Sequence, residues 1–311
     1  MTAKADTLQL GLRHRLLRVA FNALAAVSPS AAASVATHHF IRPRTVKVDY
    51  VRHLPDDAQS VNVYHGLRRL HGYRWGNRAQ PSVLLIHGWE AHIGRMLPIA
   101  RRLVEAGFQV VALDGPGHGQ SPKQTTNVAD YGDAVIQALR QTGPHHVIVA
   151  HSFGALATLL ALAEDPGLQP AKMVALAPMT HIDQHIHLFN HLMNTSPEVD
   201  RRFRQQIATC VGRSLERCSA ERAVASLTLP ALVIHDMDDQ IIPFAAGKRL
   251  ASGWRQATFI ATETLGHRRL LTHPEVAEAI VTFIKQERIH LEMPSAQPSP
   301  LIVNGTRSQS A

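Results

Sequence analysis

A chain of 311 residues with 45% hydrophobic and 18% charged residues can bury a large core, which excludes a disordered chain. Two cysteines, Cys210 and Cys218, exclude a disulfide scaffold, and no apolar run reaches the roughly 18 residues of a membrane span. The net charge of +8 favours nonspecific attraction to acidic surfaces, but the sequence has no nucleic-acid-binding motif, so we expect no nucleic-acid partner.

Residues 1–44 predict a helical segment that precedes the main domain. Between residues 12 and 24, arginines interleave with apolar residues at helical spacing, which is typical of an amphipathic helix packed on a domain. Two other interpretations stay open. One is weak contact with a membrane surface. The other is a signal peptide, which arginines followed by apolar and small residues weakly resemble. We expect a cytoplasmic protein.

From residue 45, predicted strands alternate with predicted helices. In segments 45–51 and 60–67, apolar and polar residues alternate with a period of two, which predicts two early strands that pair antiparallel. Buried strands are predicted at 81–89 and 108–117, and further strands at 145–152, 172–178, 229–236 and 256–262. Helices are predicted at about 93–106, 127–141, 152–164, 243–253 and 274–285. This alternation predicts an α/β domain over 45–287, with a mostly parallel sheet covered by helices on both faces.

Two segments depart from the alternation. Residues 180–227 read as helices without strands, and they predict a short helical cap inserted into the domain. The tail, residues 288–311, is rich in proline and serine, and we expect it to be disordered.

Residues 147–155, VIVAHSFGA, place a serine where an apolar strand runs into a helix. The pattern approaches the nucleophile elbow G-x-S-x-G, with Ala150 in place of the first glycine. The tight turn requires a small residue there, and alanine adds only one methyl group. We therefore interpret Ser152 as a nucleophile in a working elbow.

A serine nucleophile needs a histidine base and a carboxylate that orients it. The chain has 20 histidines, so position must decide among them. His267 follows the last predicted strand, and Asp239 follows the strand before it. Ligand sites in open α/β sheets lie at the carboxyl ends of strands, so these side chains should lie near Ser152.

Backbone N–H groups should stabilise the oxyanion of an acyl-transfer reaction. The expected donors are Phe153, directly after the nucleophile, and Trp89, in the loop after the earlier strand. Gly88 would let the backbone come close.

These blocks resemble the α/β-hydrolase superfamily, in its serine esterase or lipase-like bacterial branch. The resemblance covers about residues 45–285 and rests on VLLIHGWE, VVALDGPGHGQS, VIVAHSFGA, VIHDMDDQIIP and ETLGHRRLL, in the usual order. It implies a Ser152–Asp239–His267 triad that acts through an acyl-enzyme, with no metal and no organic cofactor. Asp239 precedes by three residues the Ile-Pro pair that matches the family's turn, although Asp236 and Asp238 lie close by.

The resemblance does not identify the substrate, because this fold hosts many reactions. We expect a small carboxylic ester with an apolar acyl chain, since the predicted cap is rich in apolar residues. A thioesterase, an amidase or a C–C bond hydrolase with the same triad remains an alternative, as does a catalytically silent scaffold that binds a ligand. Residues expected to line the pocket are His87, Leu188, Phe189 and Leu192.

Other titratable residues have a simpler interpretation. Asp114 and Asp183 are alternative carboxylate positions, but Asp114 is expected to brace its loop. His118 is expected to do the same. The predicted cap contains two pairs of histidines with a spacing that is common among metal ligands. No Cys or Glu completes a set, so exposed or pocket-lining histidines are expected. These histidines are His181, His185, His187 and His191.

Overall fold

The core of the fold is a mixed, mostly parallel β-sheet. A computed structural model describes residues 12–44, 49–286 and 302–303. The strand order is β1-β2-β4-β3-β5-β6-β7-β8-β9. β2 pairs antiparallel with both β1 and β4, and all the other pairs are parallel. The strands are β1 (Gln59–His65), β2 (Arg68–Trp75), β3 (Ser82–Ile86), β4 (Gln109–Leu113), β5 (Val147–His151), β6 (Lys172–Leu176), β7 (Ala231–Asp236), β8 (Ala257–Thr262) and β9 (Ile302–Val303).

Two helices precede the first strand, and the others follow or connect the strands. The helices are α1 (Leu12–Val27), α2 (Pro29–Phe40), α3 (Leu97–Glu105), α4 (Val128–Thr142), α5 (Phe153–Glu164), α6 (Ile182–Met193), α7 (Pro197–Val211), α8 (Ala220–Val224), α9 (Phe244–Gly253), α10 (Gly266–Arg269) and α11 (Pro274–Lys285). Short 3₁₀ turns lie at Val51–His53, Ile93–Arg95, Pro166–Leu168 and Leu215–Arg217.

Two apolar layers form, one on each face of the sheet. Successive residues of β3 point to opposite faces, so Leu84 and Ile86 join one layer while Val83 and Leu85 join the other. The first layer is covered by α4, α5, α8 and α9, and the second by α3 and α11. Because both faces are buried, every residue of β3, β4 and β5 is buried, and each strand is apolar except for one polar residue at its end.

The N-terminal helices pack against the helices of the predicted cap. Phe21 of α1 and Phe40 of α2 both contact Phe189 of α6, and Phe40 contacts Phe203 of α7 at 5.2 Å between ring centroids. The side-chain amide of Asn22 donates to the carbonyl of Met193 at 2.9 Å. α1 and α2 therefore form one packed unit with α6 and α7.

The strand predicted at 45–51, at the start of the sheet, is wrong. No strand forms over the described part of 45–51, because Val51–His53 is a 3₁₀ turn; residues 45–48 lie outside the description. The buried ring of Tyr50 stacks on His92 at 5.1 Å, which anchors the chain there. The sequence also missed β2, whose partly solvated strand carries arginines and joins β1 through a hairpin turn at Gly66, with φ +58°.

The remaining sequence expectations concern the termini and the cysteines. The tail predicted to be disordered lies outside the described residues, apart from Ile302–Val303, which pair with β8. Within the described part of the chain, none of the helices has the length and apolar character needed to cross a bilayer. Cys210 is exposed, Cys218 is buried, and both are free.

Candidate active site

Ser152 lies at the sharp turn between β5 and α5. Its backbone has φ 53° and ψ −121°, a conformation that side-chain-bearing residues rarely adopt. The Ser152 N–H donates to the carbonyl of Leu176 at 3.0 Å, and its own carbonyl accepts from Met179 at 3.2 Å. The strained residue is therefore held from both sides by the end of the neighbouring strand.

Small residues around Ser152 let this turn pack against the β3 segment. A Cβ added to Gly154 would overlap the carbonyl oxygen of His87. A Cβ added to Gly88 would lie 3.1 Å from Cβ of Ser152. Ala150 is fully buried and pairs with Ile86 in the parallel ladder, so its single methyl group fits the space at this position.

A continuous hydrogen-bonded chain joins the three residues that the sequence predicts. Nε2 of His267 lies 2.9 Å from Oγ of Ser152, and Nδ1 of His267 lies 2.7 Å from Oδ2 of Asp239. The Asp239 side chain is fully buried and that of His267 is 9% exposed. This geometry can remove a proton from the serine hydroxyl and hold the resulting imidazolium against a carboxylate.

The structure gives the three neighbouring acids different environments. Oδ1 of Asp239 accepts from the N–H groups of Ile241 and Ile242 at 2.8 and 2.9 Å. Burial raises the pKa of Asp239, but hydrogen bonds from His235 and His267 outweigh it and hold the pKa well below its usual range. Asp239 therefore stays ionised, as an imidazolium partner must.

Asp236 and Asp238 instead hold the loop that carries His267. Buried Asp236 accepts from the N–H groups of Leu265 and Gly266 at 3.0 and 2.8 Å, and from the hydroxyl of Thr262 at 2.7 Å. Asp238 accepts from the Thr264 N–H at 2.9 Å. Neither is paired with the imidazole of His267.

Two buried histidines that the sequence analysis did not single out form hydrogen bonds to the Ser152–His267–Asp239 group or to its loops. Nε2 of His151 lies 3.0 Å from the carbonyl oxygen of His267, and burial lowers the pKa of His151 to about 3, so the ring is neutral and donates through Nε2. Nε2 of His235 lies 3.0 Å from the Ile242 carbonyl and 3.2 Å from Oδ2 of Asp239. With 20 histidines in the chain, no local pattern marks these two.

The two residues that carry the predicted oxyanion donors contact each other through their side chains. The rings of Trp89 and Phe153 are 5.0 Å apart, in edge-to-face contact. Within the described residues, neither backbone N–H donates to another protein group. Phe153 is the first residue of α5, where N–H groups have no partner inside the helix and the dipole favours negative charge.

His87, predicted to line the pocket, is only 1% exposed and braces the loops instead. Its Nε2 accepts from the Gly115 N–H at 3.1 Å, and its Nδ1 donates to the Gly88 carbonyl at 2.7 Å. Burial lowers the pKa of His87 to about 4, which keeps the ring neutral. Both nitrogens are thus engaged by backbone.

Asp114 and His118 brace the loop after β4, as the sequence predicts. Asp114 is fully buried and accepts from the N–H groups of Ile93 and Gln120, each at 2.8 Å. His118 bonds the Pro116 carbonyl through Nδ1 at 2.8 Å, and burial lowers its pKa to about 3.

Helix α6 covers the Trp89 side of the site. The ring of His185 lies 5.5 Å from that of Trp89 and 6.4 Å from that of Phe153, and burial lowers its pKa to about 4. Leu188, Phe189 and Leu192 are half-buried on the same helix. Phe189 packs into the aromatic cluster of the N-terminal helices.

The other histidines of α6 serve the helix or face solvent. Nδ1 of His181 caps α6 by accepting from the Asp183 N–H at 3.1 Å, while His187 and His191 are exposed. Asp183 binds Arg204 at 2.6 Å rather than a histidine of the site. Across the described ranges, no group of three or more His, Cys, Asp or Glu is arranged to hold a metal ion.

Comparisons with known proteins agree with this fold. A family described as "Serine aminopeptidase, S33" matches residues 77–199. A pimeloyl-[acyl-carrier protein] methyl ester esterase of Xanthomonas campestris pv. campestris is 27% identical over 244 residues, which are 66% of this chain and 95% of the relative. The esterase Pf2001 of Pyrococcus furiosus has a similar structure, with a TM-score of 0.61 and 18% identity over 79% of this chain and 98% of the esterase.

The strand order, the strand–Ser152–helix turn and these similarities point to the same conclusion. The chain has the α/β-hydrolase fold, and its sequence is similar to a hydrolase family and to an esterase.

Proposed function

We propose that this protein is a serine hydrolase that cleaves a small carboxylic ester through an acyl-enzyme. The observation that carries the proposal is the unbroken chain from Oγ of Ser152 through His267 to Oδ2 of Asp239, with distances of 2.9 and 2.7 Å. A silent scaffold has no need of a strained serine bonded to a histidine whose partner is a buried carboxylate.

The residues have distinct roles in the proposed reaction. Oγ of Ser152 attacks the ester carbonyl while Nε2 of His267 takes its proton, and Asp239 stabilises the imidazolium. The N–H groups of Trp89 and Phe153 hold the negative oxygen of the tetrahedral intermediate. Collapse breaks the bond to the alcohol, which leaves with the proton from His267. Water, deprotonated by His267, then attacks the acyl-enzyme, which releases the acid and restores Ser152.

The similarity to an esterase supports ester hydrolysis over the other bond types. The relative from Xanthomonas campestris is named for the hydrolysis of a methyl ester. We propose that α6, α7 and α8 form a cap over the site and that Leu188 and Leu192 line an acyl pocket. We assign Phe189 mainly to packing, because its ring contacts Phe21, Phe40 and Phe203.

Hydrolysis of p-nitrophenyl esters from acetate to palmitate tests the proposal, with wild type beside Ser152→Ala. Ser226→Ala is the matched control, because Ser226 is exposed and its hydroxyl bonds only the Ala223 carbonyl among the residues that the structure describes. We expect turnover and labelling by a fluorophosphonate in the wild type and the control, and neither in Ser152→Ala. The preferred chain length measures the acyl pocket.

Different results would support the alternatives. No ester turnover, but labelling by the fluorophosphonate, would favour a thioester, an amide or a C–C bond as the substrate. No turnover and no labelling would favour the silent scaffold. Turnover that survives in Ser152→Ala would show that the proposed nucleophile is wrong.

We also propose weak contact between α1 and an anionic membrane surface. Helix α1 has an exposed apolar stripe: Leu16, Val19 and Val27 are 61%, 68% and 87% exposed. Arg15 is also exposed and Arg18 half-exposed on this helix, and the chain has a net charge of +8. An apolar stripe bordered by arginines is the pattern of helices that lie in a lipid interface.

Co-sedimentation with vesicles containing phosphatidylglycerol tests this contact. Leu16→Ser with Val19→Ser should reduce the bound fraction, whereas Leu67→Ser, at a fully exposed leucine of the β1–β2 turn, should not. If both variants bind the vesicles as well as the wild type does, the proposed membrane contact is wrong.

A further inference from the structure

A basic groove lies beside the loop that follows β4. It has a volume of about 360 Å³, and none of its lining residues is acidic. The basic groove is lined by His38, His39, Arg42, Pro43, Arg44, Gly117, Lys123 and Gln124.

The positive charge of the groove is largely uncompensated. Arg44 is bound by Glu90, which accepts from its backbone N–H and its guanidinium at 2.8 to 3.1 Å. Arg42 and Lys123 have no ion-pair partner in the part of the chain that the structure describes. The carboxyl end of α2 adds only about half a negative charge, which two unpaired cations outweigh.

A buried donor in the groove also lacks an acceptor. Nε2 of Gln124 is shielded from solvent, and it has no hydrogen-bond partner among the described residues. Ten other buried side-chain nitrogen or oxygen atoms of the described residues also lack a partner, so this donor adds to the argument from charge and does not carry it. Arg42 and Lys123 are exposed and present several N–H donors between them, which match the several acceptor oxygens of a phosphate group better than a single carboxylate.

The wall that carries these donors is built without any ligand. The Thr126 N–H donates to the Ile41 carbonyl at 2.8 Å, which joins the loop after β4 to the segment after α2. Gly117, with φ +76°, packs on Pro43, to which an added Cβ would come within 3.3 Å. The backbone of the groove is therefore in place before a ligand binds, while the exposed side chains of Arg42 and Lys123 still have to be ordered by it.

The groove adjoins the proposed oxyanion site. His118, next to Gly117, lies 5.2 Å from the ring of Trp89. Arg44 holds Glu90, the residue after Trp89. The groove and the proposed oxyanion site therefore share two structural links, the Gly117–His118 segment and the Arg44–Glu90 ion pair.

We propose that the basic groove binds a phosphate group carried by the ester substrate. This inference rests on the proposed ester hydrolysis and adds the substrate class: an ester whose acyl or alcohol part ends in a phosphate monoester or diester.

A pair of substrates that differ only in the phosphate tests this assignment. The p-nitrophenyl esters of ω-hydroxyhexanoate and of its ω-phosphate are compared with wild type, Arg42→Ala/Lys123→Ala and Lys248→Ala/Arg249→Ala. The last variant loses the same charge from the exposed surface of α9 and serves as the control. Binding of the ω-phosphate of hydroxyhexanoic acid, the reaction product, is measured separately by calorimetry.

We expect the wild type to have a KM about tenfold lower for the phosphorylated ester, with a similar kcat. The groove variant should lose this preference and bind the product about tenfold more weakly, while the control keeps both. Equal KM values for the two esters in the wild type would overturn the groove assignment, as would equal losses in the groove variant and the control.

The two proposals can fail separately. Hydrolysis of both esters without a phosphate preference would leave the ester hydrolase and remove the groove site. Specific binding of the phosphorylated product without hydrolysis of either ester would keep the groove site and remove the ester hydrolase. Groove-dependent binding only to phosphatidylglycerol vesicles, with none to the soluble product, would overturn the assignment to a substrate phosphate.

Discussion

Replacing Asp239 with asparagine separates its proposed role from the structure of its turn. Oδ1 accepts from the N–H groups of Ile241 and Ile242, while Oδ2 faces Nδ1 of His267 and Nε2 of His235. An asparagine keeps both backbone bonds only with its carbonyl oxygen at the Oδ1 position. Its amide NH₂ must then face His267.

This orientation reverses the tautomer of His267. If the amide were turned round, its NH₂ would meet two N–H donors, at a cost of about 1–3 kcal/mol for each lost bond. With NH₂ facing His267, Nδ1 must accept, so Nε2 carries the proton and can no longer take one from Ser152. Loss of the correct tautomer lowers kcat by about 10⁴, which is a barrier increase of about 5 kcal/mol.

The assay is kcat for the best p-nitrophenyl ester, with Asp238→Asn as the control in the same turn. Asp238 bonds the Thr264 N–H instead of His267, so the control should stay within about tenfold of wild type. Thermal unfolding verifies that both variants fold. A folded Asp239→Asn enzyme with activity close to that of the control would refute the proposed role of Asp239.

Two further tests address the nucleophile elbow and an ion pair distant from it. In Gly154→Ala the new Cβ overlaps the His87 carbonyl, so we expect a loss of about 1–3 kcal/mol of unfolding free energy and of at least about tenfold in kcat. Ala150→Gly should keep most of the activity. If thermal melting and kcat ranked the two variants in the reverse order, this account would be contradicted. Asp130 binds His65 and Arg68, and although burial raises its pKa, those bonds lower it to about 2. Its stabilising effect is therefore complete above the unfolded pKa near 4 and lost as pH falls from there through about 2. Asp130→Asn should lower the free energy of unfolding by about 1–2 kcal/mol at pH 7, after allowance for partial exposure. The difference from wild type, measured by urea unfolding, should shrink at pH 3. A difference that does not depend on pH would count against the ion pair.

The sequence by itself determined the central sheet. Strands buried on both faces are mostly apolar, so β3 to β7 could be predicted from local composition. Strand β8 is only partly buried, and its β-branched and aromatic residues between turn signals predicted it. Ser152, Asp239 and His267 could also be proposed from sequence, because each follows a strand and parallel strands end at one edge of the sheet. Strand β2 was missed because antiparallel pairing leaves it partly solvated, with arginines that a buried strand excludes.

Only the tertiary structure decided which groups meet. The sequence places three acids within four positions, but hydrogen bonds from the strand β8 loop engage Asp236 and Asp238, which leaves Asp239 facing His267. His87 was expected in a pocket and instead braces two loops, since the packed backbone supplies partners for both its nitrogens. Such pairings depend on contacts between residues far apart in the chain, and local propensity and spacing carry no information about them.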